Sequence, residues 1–507
     1  MVRPAGLCCA ALLAKYGYSV TVCEAHYHAG GAAHAFKVGE YCFDSGPSFF
    51  AGISGPNRTA NPLKQVLDIV GEPVDCVTYD KWITYTPEGS FPCVCQGDQY
   101  AKNIREMGGE IAYQQWKKLE ERMKPLQQGA ALFPAAAIRS DLGILLTAAK
   151  FGPSLISTGL LAGQLTGPFS RIVDEVVTDS WLRNFLDLEC FVLSGMLAKD
   201  TICAEMAFMF MERNESKSTI DYPKGGSGAI VDALVRGIEK NGGQVLLSTP
   251  VEQVLVENGR ASGVRIKSSR GSSEIVKARK AVVSNASVWD TAKLLPEDSI
   301  PPTTRSEMIS TPRTGSFMHL HLGIDASNLP SDLECHHLVV NSWEDLEAPQ
   351  NVCIISIPSV FDASLAPQGK AVVHAYTAGN EPWEIWQNIK PGTPEYKALK
   401  KERTECLWKA LEQAIPDIRN RAEIVLEASP HTHARFLRRF KGTYGPAISA
   451  ETGSFPGPGT PLPGFYRCGD SCQPGIGVPA AAASGMIAAN TIMPIWSHFD
   501  LIDSLGF

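Results

Sequence analysis

The sequence predicts an α/β protein, with a discontinuous nucleotide-binding domain of Rossmann type and an α+β domain interleaved between its pieces. Three observations predict it. A helix, Leu7–Tyr16, leads into a short buried strand, Ser19–Cys23, at the start of the chain. The same alternation resumes at Tyr222 as a glycine turn, a helix and a strand. The chain closes on a strand, Phe465–Cys468, a glycine-rich turn and an alanine-rich helix beginning near Val478.

The opening stretch MVRPAGLCCAALLAKYG sets Arg3 before an apolar run, as a signal peptide does. The run ends in Lys15 and Tyr16 and passes directly into a strand with an acidic end, so it reads as an alanine-rich helix of a folded domain. Residues 38–50 alternate as a strand around Tyr41 and Phe43, and residues 100–220 are mainly helical, with runs Tyr113–Met123 and Ile172–Leu188. Within them, residues 130–165 are apolar apart from Arg139, Asp141 and Lys150. That composition suits a helix pair in a membrane interface, the lining of an apolar tunnel, or buried core. Phe151–Ser170 carries no charge, but its glycines and prolines argue against a membrane span. After Tyr222 come a hairpin around Asn258–Gly259 and a strand, Ala281–Ser284, that ends in Asn285. Residues 311–380 are β-rich, including Ser316–Gly323 and Asn351–Ile357, and Glu402–Ala414 reads as a helix.

At 507 residues the chain exceeds one ordinary domain of about 150 residues, so two or three units are expected. Hydrophobic residues at 44% and charged residues at 20% describe a well-cored globular protein, which excludes disorder. A net charge of −7 argues against a nucleic-acid surface. The 14 cysteines are scattered without a CxxC pair; the CxC of Cys93 and Cys95, and Cys468 with Cys472, lack the companions a zinc site needs. A reduced compartment or an organelle stroma fits this usage.

Two constellations carry chemistry. In the first, Gly6 opens the first helix and Glu24 ends the next strand 18 residues later, near the spacing of about 20 at which a carboxylate meets a ribose. Gly30 and Gly31 follow. Of GxGxxG only the last glycine is present. The second is Tyr466–Met486, YRCGDSCQPGIGVPAAAASGM. Here a strand ends in Gly469 and Asp470, a loop carries Gly475 and Gly477, and a small-residue helix starts at Val478 and Pro479. Such a turn offers backbone approach and free helix N–H groups to an anion, and Asp470 can accept from a polyol hydroxyl.

These two ends, with Gly30–Gly31 and Asp44–Pro47, resemble the phytoene desaturase and FAD-dependent amine oxidase superfamily. Leu186–Ser194, Tyr222–Gly228, Val283–Asp290, Cys335–His337, Ser356–Pro367, Pro430–Pro446 and Gly469–Gly477 narrow the resemblance to its carotenoid isomerase branch. The resemblance implies a discontinuous FAD domain over residues 1–95, 222–310 and 462–507. It also implies a substrate domain over 96–221 and 311–461, enclosing an apolar tunnel, with a possible membrane-interface helical region near 130–170. It assigns Gly6 and Glu24 to the ADP half, Val251 to the adenine side, Gly469 and Asp470 to the pyrophosphate and ribityl region, and Val478 and Pro479 to the isoalloxazine. It implies redox-neutral conversion of poly-cis lycopene to the all-trans form with reduced FAD, on the surface of a plastid membrane, and names no electron donor. A desaturase or saturase, and a flavin-free carotenoid-binding protein, are the alternatives. The family's plastid-targeting segment and first strand are not represented, so the coding sequence is expected to continue upstream of Met1.

Acids beside an apolar tunnel are the catalytic candidates. Asp187 and Glu189 sit in the apolar run LRNFLDLECFVLSGML, where burial raises a carboxyl pKa; the alternative is pairing with Arg183 or Arg213. His431, Arg435 and Tyr444 are substrate-proximal candidates, His431 and His433 being read as one strand face or a loop. His319 and His321 share a strand face, but no third ligand stands at hand, so no metal site is expected and both read as core histidines. His26, His28 and His34 are read as shaping the turn around Gly30–Gly31. No GxSxG elbow occurs.

Overall fold

In the computed structural model, which describes residues 2–55, 61–94, 98–131, 134–151, 161, 163–214, 220–267 and 271–506, the first element is helix Pro4–Lys15. Proline stands in its first turn, where the missing N–H costs no bond. Ala, Leu and Cys fill most other positions, and the helix is buried nearly all round. It crosses helix Val478–Ile492 at Gly485, where any Cβ would strike the carbonyl of Ala5; glycine alone permits this approach. Helix Gly228–Lys240 completes the same core through Ile230 and Leu234. The beginning, middle and end of the chain therefore share one hydrophobic centre, as the three nucleotide-binding pieces require.

Two parallel strand pairs flank this core. Thr21–Cys23 pairs with Gln244–Leu246, and Val282–Ser284 with Phe465–Arg467. Asn285, just past the third of these strands, joins them. Its Oδ1 accepts from the N–H groups of Arg3 (2.7 Å) and Gly6 (3.1 Å), and its Nδ2 donates to the carbonyl of Cys468 (3.0 Å). The hairpin falls where the Asn-Gly pair places it, between Val251–Glu257 and Arg260–Lys267, with Asn258 and Gly259 at φ 52° and 72°.

The second domain is built on a seven-stranded sheet. Its order is Ala422–Ala428, His319–Asp325, Lys370–Thr377, Val352–Ser356, His336–Val340, Lys81–Thr86 and Gly89–Val94. One face packs Leu320, Leu322, Ile355 and Val373 against Leu407 and Leu411 of helix Pro394–Ala414. The other turns His319, His321 and His374 toward the hairpin Ala35–Val38 and Tyr41–Asp44. Lys81–Thr86 pairs in parallel with His336–Val340, so the first segment leaves the nucleotide-binding domain before residue 81 rather than at 95. Strand pairing across that distance in sequence leaves no local signal. Helices Asp98–Ala131, Ser180–Ser194 and Cys203–Asn214 pack a separate core around Trp116, Leu186 and Phe210.

Of the apolar region near 130–170, helix Ile144–Phe151 is described, while residues 152–160 and 162 of the stretch Phe151–Ser170 lie outside the described residues. Cys95 lies outside them too; the cysteines described are free thiols. Among the described residues no helix is long and apolar enough to cross a membrane.

Replacing Asn285 with Ala strands two buried donors and one acceptor, each worth roughly 1–3 kcal/mol. Urea unfolding of Asn285→Ala is expected to show a loss of about 3 kcal/mol or more, read as a lower midpoint at an unchanged slope.

Candidate active site

The loop Gly469–Gly477 joins the last strand to helix Val478–Ile492. Gly477 caps that helix at φ 102°, and no atom lies within 4 Å of where its Cβ would stand. Val478 and Pro479 thus open a helix whose positive dipole end follows a glycine with room beside it. Below the loop, Asp470 receives two guanidiniums, Arg3 at 3.1 Å and Arg439. Burial opposes the charge on Asp470, but Arg439 and Arg3 outweigh it and hold the carboxyl below its usual value. Burial and repulsion by Arg439 lower Arg3 to about 10.

Glu24 ends strand Thr21–Cys23 fully buried, accepting from the N–H groups of His26 (2.6 Å) and Val2, and burial raises its pKa. Gly6 gives its N–H to Asn285. Counting back from Gly6, the second glycine of the motif falls on Arg3, whose Cγ would lie 2.6 Å from a Cβ on Gly31. Gly30 donates to the carbonyl of Val2 (3.1 Å). Asp44 binds the Tyr222 hydroxyl (2.8 Å) and the Ser227 N–H (2.7 Å), tying the glycine turn of the second segment to the first. Val251 opens the antiparallel hairpin sheet, two residues beyond Thr249, whose N–H bonds the carbonyl of Glu24 (2.7 Å).

The predicted acids take other positions. Glu189 accepts from Arg213 (2.6 Å) and from the Tyr100 hydroxyl, so the pairing alternative is the one the structure realises. Asp187 accepts from the Ala198 N–H (2.8 Å) and fastens the turn after its own helix; burial raises its pKa. Arg183 pairs instead with Asp174. The acid that faces the glycine loop is Glu205. A Cβ on Gly475 would stand 3.2 Å from its Oε1. Glu205 keeps some accessible surface although protein surrounds it, which sets it on an internal wall, and no described residue forms a hydrogen bond or ion pair with it. Burial alone pushes its carboxyl up to about 8. A lone acid in the apolar run TICAEMAFMF carries the same sequence signal as Asp187 and Glu189, and packing separates the three.

Tyr444 continues this wall. Its ring lies against Gly195 and Phe317, and its hydroxyl donates to the Leu193 carbonyl (3.2 Å). His431 and Arg435 turn elsewhere, because Pro430–Phe436 is a helix and not a strand or loop. Proline in its first turn, and the Thr432 hydroxyl accepting the Ser429 N–H (3.1 Å), start it. His431 then bonds the Trp386 carbonyl (2.8 Å), and Arg435 lies exposed over Phe436. His433 and Arg439 face inward instead: His433 toward Phe317 and Arg439 toward Asp470.

This arrangement fits a dinucleotide flavin. Glu24 would supply a buried acceptor for a ribose, Arg3 and Arg439 two guanidiniums for a diphosphate, and Gly477 bare backbone before a helix N-terminus.

Comparison with known proteins agrees. Residues 4–493 match the model of the flavin containing amine oxidoreductase family. The chain is 28% identical to chloroplastic prolycopene isomerase of Arabidopsis thaliana, over 96% of this chain and 80% of that one. It is 26% identical to all-trans-retinol 13,14-reductase of Danio rerio, over 92% and 80%. It is 23% identical to the neurosporene-forming phytoene desaturase of Cereibacter sphaeroides, over 96% and 92%. Among solved structures it resembles an oxidoreductase of Methanosarcina mazei (TM-score 0.58, 18% identity, 95% and 96% covered). It also resembles putrescine oxidase bound to putrescine (TM-score 0.59, 16% identity, 97% of each chain).

Removing the charge that meets the ribose should cost roughly 1.5–3 kcal/mol. Flavin titration of Glu24→Gln is therefore expected to give a Kd for FAD at least about tenfold higher, with the fold unchanged by circular dichroism.

Proposed function

The chain belongs to the flavin containing amine oxidoreductase family with FAD as its cofactor, and on that premise we propose that it is a carotenoid cis–trans isomerase. In this reading it turns poly-cis lycopene, or a related polyene, into the all-trans form with reduced flavin and no net oxidation. The coarser class is an FAD-dependent, polyene-modifying enzyme. The isomerase reading is supported by similarity to prolycopene isomerases over nearly the whole chain, and one observation carries it: Glu205, an acid kept neutral on an apolar wall beside the flavin loop.

Bound and reduced, FAD supplies electron density that stabilises a positively charged polyene. The chain's residues do the rest. Glu205 donates its proton to one carbon of a double bond; a C–H bond forms, the π bond is lost, and the positive charge spreads along the conjugated chain. The former double bond is now single and rotates. Rotation brings the other C–H bond of that carbon to the carboxylate; that bond breaks, its electron pair restores the π bond in the trans geometry, and its proton passes to Glu205. Tyr444 and Phe317 line the path and exclude water, so the cation is not trapped as an alcohol. Asp187 and Glu189 hold the helix scaffold in this scheme, and His431 and Arg435 hold its rim.

Plastid location and attachment to the membrane surface belong to the same proposal. The plastid is supported by the chloroplastic relatives. Membrane attachment is supported by exposed Leu142, Leu145 and Leu146 beside and on helix Ile144–Phe151, and by exposed Trp496 on helix Ile495–Ser504. Lys150 links the two helices through Asp503 and the Phe499 ring. Apolar side chains next to a lysine suit a lipid interface. Co-sedimentation with anionic vesicles should fall several-fold in Leu145→Ser/Trp496→Ala, with isomerisation in detergent retained.

Feeding poly-cis lycopene to the flavin-reduced protein tests the central reading. All-trans product of unchanged mass is expected; loss or gain of two hydrogens makes the enzyme a desaturase or saturase instead. Glu205→Gln should lower the rate about 100-fold or more while keeping its flavin absorbance. Because Glu205 acts protonated and its folded-state pKa is raised, the wild-type rate should fall as pH rises through about 8. Stability should fall as pH rises from the ordinary carboxyl range to about 8 and level off above it, since only between those values does the folded state bind the extra proton. Glu205→Gln should show neither limb.

A further inference from the structure

The histidine-rich face of the seven-stranded sheet is not used by the chemistry above. His321 stands directly across from His374 in the antiparallel pair His319–Asp325 and Lys370–Thr377, and His319 lies two residues before His321 on the same face. The three side chains are at most 5% exposed. One ring nitrogen of each lies within 4.8 Å of the others, with His319 Nδ1 at 2.7 Å from His374 Nε2. His433 approaches from helix Pro430–Phe436, its ring centre 4.7 Å from that of His319. The sequence alone gives two of these histidines; His374 joins them only through strand register.

The hydrogen-bond inventory of this cluster does not close. A neutral imidazole has one donor and one acceptor. His321 uses Nε2–H on the carbonyl of Asp44 (3.0 Å), which leaves the lone pair on its Nδ1. His319 and His374 share one bond between them. His319 Nε2, His374 Nδ1 and His433 Nε2 are buried with no hydrogen-bond partner among the described residues. His321 has the arrangement of a metal-binding histidine, a ring fixed through one nitrogen to a backbone carbonyl with the other nitrogen free.

We propose that His319, His321 and His374, with His433 as a fourth nitrogen, bind one divalent first-row transition metal. An all-imidazole set suits zinc, copper, nickel or iron and is poorly matched to magnesium or calcium. Metal–nitrogen bonds of about 2.0–2.1 Å in a tetrahedron put neighbouring nitrogens about 3.3 Å apart. The His319–His374 contact therefore opens by roughly half an ångström when the ion replaces the shared proton. Phe317 touches both His319 and His433 on one side and Tyr444 on the other, so the site lies directly behind the wall beside Glu205.

The test is cobalt(II) titration of the untagged holoprotein after chelator treatment, read by visible absorption. One equivalent with the bands of a four-coordinate nitrogen site, displaced by zinc, is expected. His374→Gln and His321→Gln should each weaken it about 100-fold while flavin absorbance is kept. X-ray absorption of the wild-type zinc form should count three or four imidazole shells, which tests the site even if a variant fails to fold. No saturable binding overturns the proposal. So does binding that survives His374→Gln and disappears with His28→Ala, since that assigns the ion to the separate turn of His26, His28 and His34.

Discussion

The carboxamide of Asn285 is the point on which the nucleotide-binding half of this molecule depends. The start of the first helix has N–H groups with no partner inside the helix, and the last strand ends on a carbonyl. One side chain answers both, at 2.7, 3.1 and 3.0 Å. The glycine loop Gly469–Gly477 begins one residue beyond that carbonyl. The position of Asp470, and through it of Arg3 and Arg439, is therefore inherited from this junction. The crossing of the first and last helices at Gly485 fixes the same junction from the apolar side.

Around the substrate, what sorts the acids is the company each one keeps. Asp187, Glu189 and Glu205 all sit in apolar helices. Glu189 has Arg213 and Tyr100, and Asp187 has a backbone N–H. Among the described residues the Glu205 carboxyl has no hydrogen-bond or ion-pair partner, and burial raises its pKa, so in the proposed scheme it holds a proton where the other two hold structure. The histidines of the adjoining sheet are buried in the same way, and His319 Nδ1 and His374 Nε2 meet in one shared hydrogen bond.

Elements with a local chemical signature were legible in the sequence. The alanine-rich first helix, the Asn258–Gly259 hairpin and the strand–glycine–helix unit at the end of the chain all stand where their residue types put them. Features made by distant pairing were not. Nothing near Lys81–Thr86 announces His336–Val340 as its neighbour, and nothing near His321 announces His374. Helix Pro430–Phe436 is an intermediate case. Its seven residues are too few for a periodic pattern, although Pro430 and Thr432 are start signals; read as a strand face or a loop, it kept together His431 and His433, which the helix turns apart. Asn285 was visible only as the end of a strand, because its role lies in three bonds to segments hundreds of residues apart.

The most direct measurement of the central claim, reversible proton transfer from the chain to the polyene, is deuterium uptake. The reduced holoprotein is incubated with poly-cis lycopene in D2O, and the all-trans product is weighed by mass spectrometry. Deuterium exchanged into the product, at an unchanged total of hydrogen plus deuterium, is the predicted result. An all-trans product that carries no deuterium, or one whose hydrogen count has changed by two, contradicts the account.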